Sequence, residues 1–426
     1  MRSKDESVIR LGYGSGYIEF SPSGEFEVLL PREFGAAGPG EVDRALDEPY
    51  GPRIEDLSGK SATILVSDAT RPSPSHLMVP SLVRRLEGIG VGDILVVFAL
   101  GTHRRMSIEE EARLLGKAVC FPHLQHDSRR CTALGETSAG TPVEIFEEAA
   151  SRDLIIATGN IEYHYYAGFS GGAKAVLPGI SSEESVIANH MLMRSFDARS
   201  GNVKSPVRAD MEDASGIAGL DFILNVVLNG EKEIVSAVAG DYVKAHRQGA
   251  ATVDHMYLRD VLPAEIVVTS VGGSPKDINL FQAQKALDNA KGAAKPGGSI
   301  ILVARCAEGL GNAVFKRWIG EASSAQDCWE RFGREYQFGG HKAAFLALQS
   351  LQNDLILVSD LPKEDAKACF FRHARTIEDA IAMAKERQGS DARSLIIPHG
   401  GLTLARAKGA FQANRASYTV ESSKPF

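Results

Sequence analysis

The chain has 426 residues, of which 44% are hydrophobic and 24% are charged. At roughly 100 to 200 residues per domain, this length predicts two to four domains and favours two of unequal size. The composition is that of a folded globular protein and excludes a disordered, collagen-like or coiled-coil chain. Because 54 acidic residues outnumber 47 basic ones, the chain has no basic surface excess for a nucleic acid backbone, and we expect no nucleic acid partner.

The cysteines and the apolar runs indicate the cellular compartment. The five cysteines form no CxxC pair and are odd in number, which predicts neither a disulfide framework nor a thiolate metal cage. The first residues lack the apolar run of a signal peptide, and no stretch approaches the roughly 18 apolar residues of a membrane span. We therefore expect a soluble cytoplasmic protein with no membrane partner.

In chain order, the pattern begins with a β-hairpin of residues 8–20 and 25–30, joined by a turn at residues 21–24. Short runs rich in Val, Ile and Leu follow, as is typical of strands buried on both faces, and amphipathic helical stretches lie between them. The predicted strands are residues 62–66, 94–99, 154–157, 222–228, 266–269, 299–303, 355–358 and 395–397. The predicted helices are residues 76–89, 108–115, 182–193, 241–258, 280–291 and 376–387. This alternation predicts an α/β fold with mainly parallel sheets.

A domain boundary is expected near residue 258. The helical stretch that ends there leads through Pro263 into a new strand and a glycine-rich turn at residues 271–275. The sequence therefore predicts an N-terminal α/β domain over residues 1–258 and a C-terminal α/β domain over residues 259–405. The tail, residues 406–426, is expected to pack back on the N-terminal domain.

Polar residues follow the first two buried strands directly, where α/β sheets bind their ligands. The first strand precedes Asp68 and Arg71; the carboxylate can accept a hydrogen bond, and the planar guanidinium can hold a carboxylate or phosphate. The alternative is a capped helix N-terminus with a solvated arginine. The second strand precedes His103. A histidine there can exchange a proton with a ligand near neutral pH, or it can simply be hydrogen-bonded in its loop.

A third candidate is the glycine-rich segment of residues 159–179, which contains His164 and Lys174. Glycines at 168, 171 and 172 let the backbone approach a ligand and direct N–H groups at an anion. Alanine flanks Lys174 on both sides, so the segment lacks the hydroxyl that a P-loop needs. The close G-x-G match at residues 12–16 lies in the hairpin, which argues against dinucleotide binding. His190 is a fourth candidate, although alone it suggests either a packed histidine or one at a helix C-terminus, where its charge would stabilise the helix dipole.

In order and in spacing, these motifs resemble the nickel-pincer lactate racemase family. The matching segments are Asp-Ala-Thr-Arg-Pro at 68–72, Gly-Thr-His-Arg at 101–104, the glycine-rich segment at 164–179, Asn-His at 189–190 and Gly-Gly-Ser-Pro-Lys-Asp-Ile-Asn-Leu-Phe-Gln-Ala-Gln-Lys at 272–285. The steps of ten residues from His164 to Lys174 and sixteen from Lys174 to His190 resemble the family's cofactor segment. The resemblance spans both predicted domains.

The resemblance implies a nickel-pincer nucleotide, a pyridinium-3-thioamide-5-thiocarboxylic acid mononucleotide that holds Ni(II) through sulfur, carbon and sulfur. His190 would be the protein ligand of the metal, and Lys174 would attach to the cofactor through its thioamide. An imidazole suits Ni(II), and the cofactor supplies the soft sulfur donors, so no cysteine cluster is needed. The N-terminal domain would bind this cofactor, and cofactor-biosynthesis proteins would load it. The other cofactor-binding residues would be Thr70, Ser170, Gly171 and Gly172.

The resemblance further implies a racemase or epimerase that inverts the C2 centre of a 2-hydroxy acid, lactate-like or larger. The α-hydrogen would leave reversibly as hydride to the pyridinium ring while the hydroxyl proton is removed, and return to the other face of the 2-keto acid would invert the centre. Either enantiomer must be able to start, so two general acid/base groups are needed. His103 and His164 fit these two roles.

The resemblance also implies that residues of both predicted domains bind the substrate. Arg71 and Lys285 would hold the substrate carboxylate, while Asp68 and Gln282 would orient substrate or catalytic groups. Because Gln282 and Lys285 come from the C-terminal domain, the active site is expected in the interdomain cleft. Phe281 stands where a lactate-specific member is expected to carry tyrosine, so the sequence leaves the preferred 2-hydroxy acid open.

Two other functions are compatible with these residues. One is an NAD-dependent two-domain 2-hydroxyacid dehydrogenase with His103 or His164 as its single base, which predicts saturable NAD binding and an accumulating redox product. The other is a non-enzymatic module that binds a phosphorylated small molecule through residues 168–174 and has no use for His190. Stoichiometric nickel and a cofactor-sized mass adduct would favour the racemase over both.

Overall fold

A computed structural model describes residues 8–22, 24–32 and 34–408 of the chain. The described residues divide into two compact units. The first unit is formed by residues 34–256, and the second by residues up to 32 together with those from 257 onward. Each unit contains one six-stranded sheet with helices packed against it.

The strands of both units are numbered together in chain order. They are β1 (Ile9–Tyr13), β2 (Gly16–Phe20), β3 (Phe26–Val28), β4 (Ser61–Ser67), β5 (Asp93–Ala99), β6 (His123–Gln125), β7 (Cys131–Glu136), β8 (Pro142–Phe146), β9 (Leu154–Asn160), β10 (Tyr163–His164), β11 (Gly168–Phe169), β12 (Leu220–Leu228), β13 (Ile234–Gly240), β14 (Leu258–Val261), β15 (Ala264–Ser270), β16 (Ala294–Val303), β17 (Asp354–Val358), β18 (Arg372–Ala374), β19 (Ser394–Ile397) and β20 (Leu404–Ala407).

The α-helices follow the same numbering. They are α1 (Gly40–Asp47), α2 (Ser75–Gly88), α3 (Ile108–Leu115), α4 (Glu147–Ala150), α5 (Glu183–Met191), α6 (Pro206–Ile217), α7 (Lys244–Tyr257), α8 (Leu280–Ala290), α9 (Ala313–Glu321), α10 (Ala325–Arg334), α11 (Gly340–Gln352), α12 (Lys363–Ala368) and α13 (Ile377–Gln388). Short 3₁₀ turns lie at Ile54–Asp56, Gly116–Cys120, Gly172–Ala175, Leu192–Arg194 and Lys291–Ala293. None of these helices is long and apolar enough to cross a membrane, as far as the described residues go.

The sheet of the first unit has the order β13-β12-β9-β4-β5-β6. Its strands are parallel except β13, which pairs antiparallel with β12 at one edge. The inner strands are almost continuously apolar because both of their faces are covered. Their side chains form one core with helix residues such as Met78 and Leu82 of α2. The carboxyl ends of β4, β5 and β9 therefore meet at the same edge of the sheet, which is where the candidate residues lie.

The sheet of the second unit has the order β18-β17-β16-β15-β19-β3 and is parallel throughout. Its core contains Val268, Ile301, Ile356 and Ile396 from the four inner strands. A separate parallel pair joins β14 to β20. Each of the eight predicted buried strands and six predicted helices overlaps an element of the same type, so the predicted α/β fold with mainly parallel sheets is confirmed.

The structure corrects the predicted hairpin. Strands β1 and β2 form it, with Tyr13 opposite Gly16, so the turn is Gly14-Ser15 and not residues 21–24. Gly14 has a φ of 55°, a conformation that a two-residue hairpin turn requires and that glycine adopts easily. Strand β3 instead pairs in parallel with β19. The N-terminal strands therefore belong to the second unit and not to the first, where the sequence had placed them.

The C-terminal end of the described chain also lies in the second unit. Strand β20 pairs with β14, and the backbone N–H of Lys408 donates to the carbonyl of Val261. The predicted packing of residues 406–426 on the first unit falls mostly on residues 409–426, which lie outside the described residues.

Candidate active site

Asp68 and His103 form a hydrogen-bonded pair at the carboxyl edge of the first sheet. Asp68 directly follows β4, and His103 follows β5 after a tight turn closed by the bond from its N–H to the carbonyl of Leu100. The two parallel strands are neighbours, so their ends bring the side chains together. The Nδ1 atom of His103 lies 2.9 Å from Oδ2 of Asp68. The predicted helix cap is not formed, since α2 begins after Pro74 without a side-chain cap.

The electrostatics of this pair favour a carboxylate beside an imidazole. Burial raises the pKa of Asp68, but the hydrogen bonds from His103 and Thr70 outweigh it and hold the pKa well below the usual carboxyl range. The ionised Oδ2 atom accepts a hydrogen bond from the Nδ1–H group of His103, and Oδ1 accepts one from the N–H of Thr70 at 2.7 Å. This arrangement directs the Nε2 atom of His103 to act as the basic nitrogen, as in other carboxylate-oriented histidines.

His164 lies at the start of the glycine-rich segment. It ends the two-residue strand β10, which pairs with β11 so that His164 faces Gly168. Its ring stacks on Tyr165 with centroids 5.2 Å apart and meets the edge of Tyr166 at 4.4 Å. The Nδ1 atom accepts the backbone N–H of Ala167 at 3.4 Å, which places the proton of the neutral ring on Nε2.

Positive charges surround His164 and Lys174. Burial, followed by the charges of Lys174 and Arg71, lowers the pKa of His164 well below its ordinary value. Burial, followed by the charges of Arg71 and Arg208, lowers the pKa of the Lys174 amine to about 7. The structure therefore brings Arg71 near both residues, and a local excess of positive charge of this kind favours an anionic ligand.

The glycines of the segment allow close packing rather than an open anion cradle. Gly171 and Gly172 have φ values of 74° and 58°. A Cβ on Gly171 would lie 2.8 Å from Oδ1 of Asn225, and the N–H of Gly172 donates to that same oxygen at 2.7 Å. The N–H of Gly172 is thus bound by the protein itself. The hydroxyl of Ser170 likewise links backbone groups of Asn160 and Glu162. Contact of Ser170, Gly171 and Gly172 with a cofactor stays a prediction.

His190 is buried in the last turn of α5, with only 5% of its surface exposed. Its Nδ1 atom donates to the carbonyl of Val186 at 2.6 Å, and its Nε2 atom is hydrogen-bonded to the hydroxyl of Tyr166. Burial lowers the pKa of His190 to about 3, against the raising effect of the bond to Val186. A charged histidine that stabilises the helix dipole is therefore excluded. The ring is neutral, and its Nε2 atom carries a lone pair that accepts the Tyr166 hydroxyl, which is the form of imidazole that binds a metal.

The remaining predicted residues lie in two places. Thr70 is exposed in the turn after β4, where its N–H binds Asp68. Gln282 and Lys285 belong to the second unit, in the first turns of α8, where Asn279 caps the helix by accepting the N–H of Gln282 at 3.0 Å. Their role with the residues of the first unit stays a prediction.

Phe281 precedes Gln282 on α8 and is held by its neighbours in the second unit. Its ring meets those of Phe315 and Phe338 edge-on, with centroids 5.8 and 6.4 Å away. The amine of the buried Lys342 lies 4.4 Å from the ring centroid and donates to the Phe281 carbonyl. Burial, followed by the charge of Lys285, lowers the pKa of Lys342 to about 7.

Sequence reasoning missed several residues that build the site. Tyr166 lay inside the matched segment, but nothing in the sequence marked it as the hydroxyl partner of His190. Arg208 of α6, Asn225 of β12 and His246 of α7 are buried, and each forms a hydrogen bond to the segment of residues 167–172. The sequence offered a signal for Asn225, which is a polar residue inside the apolar run of β12.

The chain matches known proteins over most of its length. The sequence profile of the lactate racemase N-terminal domain matches residues 12–201, and that of the lactate racemase C-terminal domain matches residues 259–404. A lactate racemase from Thermoanaerobacterium thermosaccharolyticum is 33% identical over 94% of this chain and 99% of its own. The chain belongs to the lactate racemase family. A second relative, the lactate racemase of Lactiplantibacillus plantarum, is 33% identical over 84% of this chain and 89% of its own.

Solved structures agree with membership of the lactate racemase family. The lactate racemase apoprotein from T. thermosaccharolyticum superposes with a TM-score of 0.88 at 32% identity, covering 94% of this chain and all of its own. A protein from Thermotoga maritima shares the fold, with a TM-score of 0.64 at 22% identity over 88% of this chain and all of its own. The family resemblance, the fold and the assignment to the isomerases are confirmed by these relatives.

Proposed function

We propose that this chain is a racemase or epimerase that inverts the C2 centre of a 2-hydroxy acid, lactate or a larger relative. The observation that carries the proposal is the pair of histidines with opposite tautomers, each held by a different partner. Asp68 fixes the proton of His103 on Nδ1, whereas the N–H of Ala167 leaves the proton of neutral His164 on Nε2. One ring thus presents a basic nitrogen at Nε2, whereas the other presents an N–H at Nε2.

This difference suits a reaction that must run from either enantiomer. His103 accepts the hydroxyl proton of one enantiomer at Nε2, and the ionised Asp68 stabilises the imidazolium that forms. To complete the opposite enantiomer, His164 first takes up a proton from solvent; its imidazolium then gives a proton to the substrate oxygen and returns to the neutral ring. Running backwards, the two rings exchange roles, as microscopic reversibility requires. The low pKa of His164 makes its imidazolium a strong proton donor.

The residues of the first unit also fit a nickel-pincer nucleotide. Within the described residues, no three His, Cys, Asp or Glu side chains are grouped as a metal site, so this chain would offer a single imidazole, that of His190. The neutral ring, with Nδ1 bound to Val186, suits that role. Lys174 would form the covalent link to the thioamide of the cofactor, because its amine is partly neutral at pH 7. When bound, the group would supply a hydride acceptor next to the substrate.

Positively charged side chains would bind the substrate carboxylate. Arg71 offers a planar guanidinium for a bidentate bond to the carboxylate. In the same proposal Lys285 adds a second charge and Gln282 orients the hydroxy acid. The ring of Phe281 carries no hydroxyl, so selectivity for lactate over a larger 2-hydroxy acid is left to the apolar shape of that region.

The function is tested with the full chain, produced together with the cofactor-biosynthesis proteins. D-lactate, L-lactate and a larger 2-hydroxy acid are supplied separately, and the product enantiomers are resolved by chiral chromatography. We expect each enantiomer to convert into the other without accumulating 2-keto acid. Intact mass should show a cofactor-sized adduct, and metal analysis about one nickel per chain. NAD consumption with accumulating 2-keto acid would instead establish a dehydrogenase.

Variants assign the roles of the histidines. His103→Ala and His164→Ala should each lower racemisation by at least about 100-fold while nickel stays bound. His190→Ala should abolish both nickel retention and turnover. The matched control is His76→Ala, which removes an exposed histidine from α2. Full activity in both His103→Ala and His164→Ala would disprove the two-histidine scheme, and normal nickel content in His190→Ala would disprove the ligand assignment.

A further inference from the structure

Helix α6 and the residue before it hold residues 166–173 of the glycine-rich segment. Ser205, the residue before the helix, donates its hydroxyl to the carbonyl of Tyr166 at 2.5 Å and so does not cap the helix. One turn later Arg208 binds the segment, and near the end of α6 the hydroxyl of Ser215 lies 3.2 Å from the carbonyl of Ala173. The helix and the residue before it therefore supply donors to carbonyls from Tyr166 to Ala173 of the segment.

Arg208 is the central and most unusual of these contacts. Its side chain is completely buried. The guanidinium donates to three alternate carbonyls: those of Ala167 at 3.4 Å, Phe169, and Gly171 at 3.0 Å. A buried arginine normally faces a carboxylate, because an uncompensated charge is costly to remove from water. Here the carboxylate of Glu212, one turn further along α6, is paired with Arg247 instead. The hydrogen-bond partners of Arg208 are therefore backbone carbonyls.

The three carbonyls explain why an arginine is needed at this position. Gly168, Gly171 and Gly172 all have positive φ, so regular backbone pairing does not continue beyond the two-residue strand β11. The carbonyls of Ala167 and Gly171 each accept one backbone N–H, from Phe169 and Lys174, and each oxygen can accept a second hydrogen bond. A planar guanidinium supplies several donors in a fixed fork, which a lysine or an apolar side chain does not. Burial lowers the pKa of Arg208 only to about 10, so it remains charged at neutral pH.

The segment pinned by Arg208 joins the proposed catalytic groups. His164 precedes residues 166–173, Lys174 follows them, and Tyr166 at their start contacts His190. We propose that Arg208 is a positioning residue, which fixes the backbone between His164 and Lys174 through its three carbonyl bonds and so sets the geometry of the site. Its importance for turnover rests on the function proposed above, whereas its hold on the segment does not.

Hydrogen exchange in the full-length protein without cofactor tests the hold on the segment. Arg208→Met should increase amide exchange in peptides covering residues 166–175 by about tenfold or more, while peptides from β4 and β12 keep wild-type protection. Arg208→Lys, which keeps the charge but loses the fork, should give an intermediate increase and guards against failure of the methionine variant to fold. The matched control is Arg85→Met in the same unit, which loses bonds to Asp47 and Glu55 on the surface.

Steady-state kinetics of the loaded enzyme test the consequence for turnover. Arg208→Lys should lower kcat at least about tenfold and change KM little, because Arg208 contacts the backbone and not the substrate. Wild-type exchange of residues 166–175 in both Arg208 variants would overturn the proposal, and so would locally increased exchange with an unchanged kcat. If wild-type protein fails to racemise any 2-hydroxy acid, the proposed function fails, and the exchange result still decides whether Arg208 holds the segment.

Discussion

The amine of Lys174 should be partly neutral near pH 7, and its titration can be measured without the cofactor. Burial and the charges of Arg71 and Arg208 lower its pKa to about 7 from 10.5, against smaller raising effects of Asp68 and Glu162. At pH 7 about half of the Lys174 amines would then be neutral, compared with roughly one in three thousand for a lysine of ordinary pKa. The neutral fraction thus increases by roughly a thousandfold, which is what attack on a cofactor group requires.

The assay is trace acetylation of the full chain between pH 5 and 11, followed by peptide mass spectrometry. The midpoint of the pH profile is informative rather than the absolute rate, because burial also limits access of the reagent. Lys174 should show a midpoint near pH 7, as its pKa implies, and Arg71→Gln should raise that midpoint by removing a nearby positive charge. Arg85→Gln is the matched control and should leave it unchanged. A midpoint near pH 10 for Lys174 in wild-type protein would refute the reasoning.

Three further predictions follow from the described contacts. Asp68→Asn should lower kcat by about 10²- to 10⁴-fold in a folded protein, because the amide no longer holds the proton of His103 on Nδ1, and wild-type kinetics would contradict this. Phe222→Ala should lower the free energy of unfolding by about 3 to 5 kcal/mol in denaturant titrations, since the ring is completely buried in the first core. Burial lowers the pKa of His126 to about 4 from 6.5, so the unfolded chain takes up a proton before the folded one as the pH falls from about 6.5 to 4, and stability is lost in that range. His126→Leu should therefore reduce the fall in unfolding free energy between pH 7 and pH 5 by about 2 kcal/mol, and an unchanged fall would show that His126 does not contribute.

The inner strands were predictable because both faces of a parallel sheet are covered, which makes their sequences continuously apolar. The hairpin was misplaced because Pro22 and Gly24 give a strong local turn signal, whereas the glycines at 12, 14 and 16 around the actual turn were weighed only as a dinucleotide-binding match. The pairing of β3 with β19 joins segments from opposite ends of the chain. No local periodicity reveals such a pairing, so the membership of the N-terminal strands could not be predicted.

The candidate site was predictable where polar side chains follow the end of a strand. Asp68 and His103 lie immediately after neighbouring strands, and their contact follows from the strand order. Arg208 could not be found in this way, because an arginine in an amphipathic helix normally faces solvent. Only the packing of α6 against the glycine-rich segment reveals that its guanidinium is buried.

The assignment of β3 to the second unit has a consequence for the order of folding during synthesis. Residues 34–256 form one uninterrupted run, so the ribosome releases everything that the first unit needs before the second is complete. Strand β3 precedes the first unit in the chain, whereas its neighbour β19 follows it. The nascent chain must therefore keep a short unpaired strand available while the whole first unit is made, and the second sheet can close its edge only after β19 has been synthesised.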